Sequence, residues 1–185
     1  MTKMTGAVFL DRDGTINVEK NYLYRVEDWE WIPGALEAIR GFNHMGYLVI
    51  VVTNQAGVAR GYYTREDVEH LHKFVMASAR KEGAFIHGIY YCPHHFRYGA
   101  IRDCGCRKPK SGLFLQAVKD FNISLEESYM IGDKLSDMQA AVPIGIKPIL
   151  VLTGYGQSEL AKAREKNFEV AGNLYEAYKM IENEG

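Results

Sequence analysis

The run at residues 47–52, "YLVIVV", is apolar at every position and rich in β-branched side chains. A strand with one wet face alternates apolar and polar residues, so an unbroken run marks a strand covered on both faces. Such strands belong to parallel sheets held between helices, and the rest of the chain repeats the theme. Residues 7–10, 86–91, 128–131 and 148–152 read as further strands, with 168–170 extended. Helix-like segments separate them at 34–45, 65 to about 81, 111 or 112 to about 120, 136–142, 158–166 and 174–182. Thr64 and Asp67 have the spacing of a capping box for the second of these, and "SLEE" from Ser124 reads as a turn. Alternation of strand and helix predicts βαβ units, right-handed crossovers and a parallel sheet flanked by helices, an α/β fold. The 185 residues suit one domain, 1–185, with a single core.

Net charge is −1, so no global field recruits nucleic acid or an anionic membrane. No apolar run approaches the ~18 residues of a membrane span. The short apolar stretch at 6–10 cannot serve as a signal-peptide core. These readings predict a cytoplasmic protein with a small-molecule partner and no nucleic acid or membrane. No segment reads as an extra apolar surface, which predicts a monomer.

Ligands of such sheets collect beyond the carboxyl ends of the strands. Those ends carry Asp11 and Asp13, Thr53 and Asn54, Cys92, Asp133, and Thr153. Residues i and i+2 of an extended segment share a side, so Asp11 and Asp13 face one small site while Arg12 points away. Gly14 lets the backbone turn at once. Two close carboxylates invite a divalent cation, and Mg²⁺ with retained waters suits a phosphate substrate.

Cys92, Cys104 and Cys106 fall within one short stretch, "YCPHHFRYGAIRDCGCRKP". An odd, clustered set argues for metal ligation rather than a disulfide framework. C-x-H followed by C-x-C supplies three thiolates and an imidazole, a closed tetrahedral Zn²⁺ site without an open position for water. Cys92-x-His94 mirrors Cys104-x-Cys106, which favours His94 over His95 as the fourth ligand. The loop at about 92–106 then braces Lys108, two residues beyond its last cysteine. His44, His70, His72 and His87 have no ligand-like neighbours and read as ordinary surface or partly buried residues.

Taken in order, "FLDRDGT", "VVTN", "RKPKSG" and "IGDKLSD" resemble the motifs of the haloacid dehalogenase-like (HAD) phosphotransferases. The resemblance spans residue 7 to about 153. It implies a Rossmann-like fold without a large cap domain and Mg²⁺-dependent hydrolysis through an aspartyl-phosphate. On that pattern Asp11 is the nucleophile and Asp13 the acid/base, protonated when substrate binds. Thr53 and Lys108 hold the transferring phosphoryl group. Asp11, Asp133 and the backbone carbonyl of Asp13 hold Mg²⁺, while Asp137 orients Lys134 or Lys108.

Within the superfamily, the zinc loop with "DRDGTIN", "TNQAGVARGYY" and "CRKPKSG" is similar to the bacterial heptose-1,7-bisphosphate 7-phosphatases, and histidinol-phosphate phosphatases are close relatives. The similarity implies a substrate loop at Glu19, Lys20, Asn21 and Tyr22, with contacts from Thr53, Asn54, Gln55 and Ala56. Beyond Lys108, the cations Arg107, Lys134 and Lys20 can meet a second phosphate or sugar hydroxyls, whereas Lys110 reads as a solvated surface lysine. Two other classes fit less. A phospho-acceptor signalling domain would carry its acceptor aspartate on a later central strand, where "VVTN" offers none. A zinc-braced nucleic-acid binder would show an aromatic-basic stripe.

Overall fold

The computed structural model describes residues 4–184. The strands are β1 (Thr5–Leu10), β2 (Leu48–Asn54), β3 (Gly88–Cys92), β4 (Ile123–Gly132), β5 (Lys147–Val151) and β6 (Glu169–Ala171). The helices are α1 (Ala35–His44), α2 (Gly57–Arg60), α3 (Arg65–Lys81), α4 (Gly112–Phe121), α5 (Leu135–Ala141), α6 (Gly156–Glu165) and α7 (Leu174–Glu184). The strands form one sheet in the order β3-β2-β1-β4-β5-β6, and every neighbouring pair is parallel.

Strand parity builds the two faces. On β1, Val8 and Leu10 pack on one side and Ala7 and Phe9 on the other; Val49 and Val51 against Ile50 and Val52 repeat this on β2. The first side is covered by α1, α3 and α7, through Ile39, Phe42, Leu71, Val75 and Ile181. The second is covered by α4 and α5, through Leu113, Phe114 and Met138. This two-sided cover is why the strands read as unbroken apolar runs. The predicted capping box opens α3: Thr64 Oγ1 accepts from the Asp67 amide at 3.1 Å, and Asp67 Oδ2 accepts from the Thr64 amide at 2.8 Å.

One expectation changes. "SLEE" does not precede its strand but lies within β4. Gly6 pairs with Ser124 and Val8 with Tyr129, so two steps on β1 match five on β4 and the excess bulges outward. Ser128 closes the bulge, its buried Oγ accepting from the Ala7 amide at 2.9 Å and donating to the Ser124 carbonyl at 2.5 Å. Glu126 and Glu127 ride on the bulge in solvent. A hydrophobicity pattern broken by two glutamates reads as a turn although the backbone keeps its pairing on both sides.

After β3 the chain returns to the far side of β1 and resumes as β4. The carboxyl ends of β1, β2 and β4 therefore meet at the switch in strand order, where open α/β sheets leave a crevice.

Candidate active site

A cleft of about 230 Å³ opens at this switch, lined by Asp11, Asp13, Thr53 and Lys108 at its base and Glu19, Tyr22 and Lys134 toward its mouth. Asn21, Asn54, Gln55 and Ala56 also line it, as do Tyr63, Ser136, Asp137 and Tyr155. Of the residues expected around the substrate, Lys20 and Arg107 stand outside. The Lys20 ammonium is drawn away by the Asp28 carbonyl and the Glu30 carboxylate, both at 2.9 Å. The Arg107 guanidinium donates to the His94 carbonyl at 3.0 Å and is spent on the Cys/His loop. Lys110 is exposed and pairs with Asp103.

The turn after β1 explains how two carboxylates fit. Gly14 has φ +83°, and a Cβ there would stand 2.3 Å from Asp133 Oδ2, so only glycine permits the close approach. Thr153 Oγ1 donates to the Gly14 carbonyl at 2.6 Å, tying the end of β5 to the same turn. The result is a cluster in which carboxylate oxygens of Asp11, Asp133 and Asp137 lie within 4.8 Å of one another.

Charge within this cluster is unevenly compensated. Lys108 is buried, and its Nζ lies 2.9 Å from Asp11 Oδ1, 2.6 Å from Asp137 Oδ1 and 2.7 Å from the Val52 carbonyl. Burial alone would lower its pKa, yet Asp11 and Asp137 together raise it. Asp133 accepts the Tyr155 amide on Oδ2 at 2.8 Å, while its buried Oδ1 has no hydrogen-bond donor. Burial, and then the nearby Asp11 charge, push Asp133 up to about 8. Lys134 Nζ stands 3.8 Å from Asp133 Oδ1, beyond hydrogen-bond reach, so three buried carboxylates face two lysines and one inward oxygen lacks a donor, which is the fit expected of a divalent-cation site. Asp137 also accepts the Lys134 amide at 3.1 Å, so it is committed to Lys108 and to the start of α5.

Asp13 is treated differently from its neighbours. Burial works to raise its pKa, but the Arg12 guanidinium and hydrogen bonds from Arg12, Asn17 and Gln55 outweigh it and hold the carboxyl below its ordinary value. Thr53 Oγ1 and Asp13 Oδ2 share the amide of Gln55, at 2.9 and 3.0 Å. Thr53 accepts there, which leaves its hydroxyl proton free to donate into the cleft. Tyr63 donates to Gln55 Oε1 at 2.8 Å and fixes which way the amide faces.

Lys108 belongs to no helix or strand, and its place is set from outside its own segment. Asn54 clamps its peptide in both directions, accepting from the Lys108 amide and donating to its carbonyl, each at 3.1 Å. Upstream, the ligand atoms of Cys92, His94, Cys104 and Cys106 lie within 4.8 Å of one another. Neighbouring separations run from 3.2 Å (Cys106 to Cys92) through 3.4 Å (Cys106 to His94 Nδ1) to 3.8 Å (Cys92 to His94 Nδ1). Ligands about 2.3 Å from a tetrahedral zinc stand roughly 3.8 Å apart, so the four groups fit that ion. His95 points elsewhere, its Nδ1 accepting from the Arg97 amide at 3.1 Å.

Sequence reading missed several residues. Tyr63 and Ser136 line the cleft from within the sequence motifs without having been singled out, and Tyr155 lines it from outside any of them. Arg12 does point away from the cleft, but it is wholly buried and its guanidinium turns back to Asp13. His72 is not an ordinary surface residue: it is buried against Arg12. Its signal was present, since Val68, Leu71, His72, Val75 and Ala79 form the buried stripe of α3.

Comparison with known proteins shows the family of the chain. The HAD-hydrolase-like family model matches residues 105–177. D-glycero-beta-D-manno-heptose-1,7-bisphosphate 7-phosphatase of Pasteurella multocida is 44% identical over 82% of this chain and 84% of its own. The enzyme of that name from Escherichia coli K12 is 44% identical over 83% of each chain. The crystal structure of D,D-heptose 1,7-bisphosphate phosphatase from B. bronchiseptica, complexed with magnesium and phosphate, superposes with a TM-score of 0.87. It is 28% identical and covers 98% of this chain and 100% of that one. With this cleft and these relatives, the chain belongs to the HAD-like hydrolases, in the family of the bacterial heptose-1,7-bisphosphate 7-phosphatases.

Proposed function

We propose that this chain removes the C7 phosphate of D-glycero-D-manno-heptose 1,7-bisphosphate through an aspartyl-phosphate. The observation that carries the reading is the meeting of Asp11, Asp13, Thr53, Lys108 and Asp133 at one sheet edge, in a chain 44% identical to relatives of that name. Asp11 attacks phosphorus, its oxygen forming a bond as the ester P–O bond breaks. Asp13 gives the departing sugar oxygen a proton, which it has taken up from solvent as the phosphate dianion enters the cleft. In the second step Asp13 takes a proton from water, which attacks phosphorus and frees Asp11 and inorganic phosphate. The Lys108 ammonium and the Thr53 hydroxyl donate to the phosphoryl oxygens, where transition-state charge gathers.

Asp11, Asp133 and the backbone carbonyl of Asp13 would hold Mg²⁺, and the orphaned Asp133 Oδ1 supports that assignment. The ion supplies neutralisation of charge between nucleophile and substrate. Cys92, His94, Cys104 and Cys106 would hold Zn²⁺ as a brace for Lys108, remote from the chemistry. Glu19, Asn21, Tyr22, Gln55, Ala56 and Lys134 face the sugar, with Lys134 the cation placed for a second phosphate. Its pKa is raised, burial notwithstanding, by Asp11, Asp133, Asp137 and Glu19, so it stays charged. We read the whole chain as one catalytic domain, acting as a monomer in the cytoplasm, with its three cysteines outside any disulfide. Among the described residues no helix is long and apolar enough to cross a membrane.

The test is phosphate release from heptose 1,7-bisphosphate, with histidinol phosphate in parallel and Mg²⁺ present. The wild type is expected to prefer the bisphosphate, and Asp11→Asn to lose turnover while keeping its melting temperature, because an amide cannot attack phosphorus. Wild-type rates from Asp11→Asn would refute the assignment.

A further inference from the structure

Arg12 sits between the two aspartates of the motif, yet none of its surface is exposed. Parity explains where it goes. It continues the Val8 and Leu10 side of β1, the side covered by α3, while Asp11 and Asp13 continue the other. A guanidinium sent into that apolar layer needs acceptors, and it finds three. Its Nε and Nη2 converge on Asp13 Oδ1 at 3.2 and 2.9 Å, Nη2 also reaches the Leu23 carbonyl at 2.9 Å, and Nη1 meets His72 Nε2 at 3.2 Å.

Arginine has only donors, so His72 Nε2 must accept, and the imidazole is the neutral form with its proton on Nδ1. Burial, then the facing Arg12 charge, hold the His72 pKa down to about 3, in agreement with a neutral ring. Tyr91 packs edge-on against the ring at 5.5 Å and fixes its plane. The imidazole is absent from the walls of the cleft.

The consequence lies on Asp13. Oδ1 receives Arg12 twice and Asn17 Nδ2 at 3.1 Å, whereas Oδ2 receives only Gln55 Nε2 at 3.0 Å. One oxygen is saturated and the other is left for chemistry.

We propose that His72 is a positioning residue: it orients Arg12, which locks the rotation of the Asp13 carboxylate so that Oδ2 exchanges the proton with the leaving group and with water. The inference rests on the phosphatase reading above, and no activity is assigned to the imidazole itself. Without an acceptor at position 72, Nη1 has no buried partner, the guanidinium tilts, and Oδ2 loses its aim. A displacement of that kind acts where proton transfer limits the rate and spares reactions that do not need it.

The experiment compares wild type, His72→Leu and His72→Gln on the sugar bisphosphate, whose leaving alkoxide needs a proton, and on p-nitrophenyl phosphate, whose leaving group does not. For His72→Leu, the single-turnover rate at which the bisphosphate phosphorylates Asp11 should fall about tenfold or more, while the burst of p-nitrophenolate from the aryl ester stays within about twofold; hydrolysis of the shared aspartyl-phosphate slows alike for both. His72→Gln, whose side-chain carbonyl can accept from Nη1, should recover most of the loss. Nitrogen NMR of the wild type should show the Nδ1–H tautomer, a readout that survives even if His72→Leu fails to fold. Equal losses in that first step on both substrates, no loss on the bisphosphate, or an Nε2–H tautomer would each overturn the proposal. A wild type that releases no phosphate from either substrate overturns the phosphatase reading as well; an active wild type with unaffected variants overturns this inference alone.

Discussion

Lys108→Met tests whether one ammonium balances the buried acidic cluster. Methionine keeps the length and the apolar stem, so the change removes charge and hydrogen bonds with little loss of packing. Left behind are Asp11 and Asp137, 5% and 0% exposed, which had contacts to Nζ at 2.9 and 2.6 Å. At an effective dielectric of about 20 each contact is worth roughly 6 kcal/mol before desolvation, far more than a domain can forfeit. The protein has a cheaper way out. Asp137 is already raised to about 6 by burial and the Asp11 charge, with Lys108 opposing, and without Lys108 it will take up a proton. Protonating a carboxylate of unfolded pKa near 3.9 at pH 7 costs about 4 kcal/mol, which caps the damage and agrees with the 3–5 kcal/mol typical of a broken buried pair.

That route fixes a sign. In the variant Asp137 binds a proton when folded and not when unfolded, so stability falls by about 1.4 kcal/mol per unit as pH rises above the unfolded value. In EDTA at pH 7, Lys108→Met should melt about 10 °C below wild type. The gap should narrow steadily toward pH 5, and adding Asp137→Asn should recover much of it at pH 7 without restoring turnover. Calorimetry across that range provides the check. Equal melting temperatures in EDTA at pH 7, or a gap that widens toward pH 5, would show that Lys108 is not the counter-charge.

Two further expectations concern residues outside the cleft. Stripping zinc with a strong chelator, or Cys106→Ser, should lower both the melting temperature and kcat, with activity tracking the zinc content measured by atomic emission; full activity in zinc-free protein would end the brace reading. Lys20→Ala should leave kcat/KM for the bisphosphate within about twofold, because the ammonium is held by Asp28 and Glu30; a tenfold rise in KM would mean that it swings into the cleft when substrate binds.

What could be read from the chain follows the range of the interactions involved. Strand parity is local, so the facing of Asp11 and Asp13 toward one site and the burial of 49–52 were legible from spacing alone, although Tyr47 and Leu48 at the start of the run are only half-buried. The same parity sends Arg12 to the opposite layer, but the element waiting there depends on how α3 crosses the sheet, and periodicity carries no such information. Hence His72 was passed over although it interrupts an apolar stripe. The bulge in β4 was illegible for a related reason: exposed Glu126 and Glu127 imitate a turn, and the buried Ser128 that holds the pairing together pairs with Ala7, far away in sequence.

Lys108 marks the boundary between these cases. Its segment, "CRKPKSG", has no periodicity, and nothing local says where its ammonium goes. The position is imposed by Asn54 on β2, by the Cys/His cluster upstream and by Ser111 donating to the Ala140 carbonyl downstream at 2.6 Å. Each anchor is weak alone, and each draws on a different part of the chain. Only motif resemblance could assign Lys108 from sequence, because resemblance compresses long-range geometry that spacing rules cannot express. Asn54 shows the same limit from the other side. It was expected to touch substrate, and it lines the cleft, yet its amide is occupied in both directions by the Lys108 peptide. Residue type and strand-end position locate a side chain near the chemistry; its partners decide whether it meets the substrate or holds the residue that does.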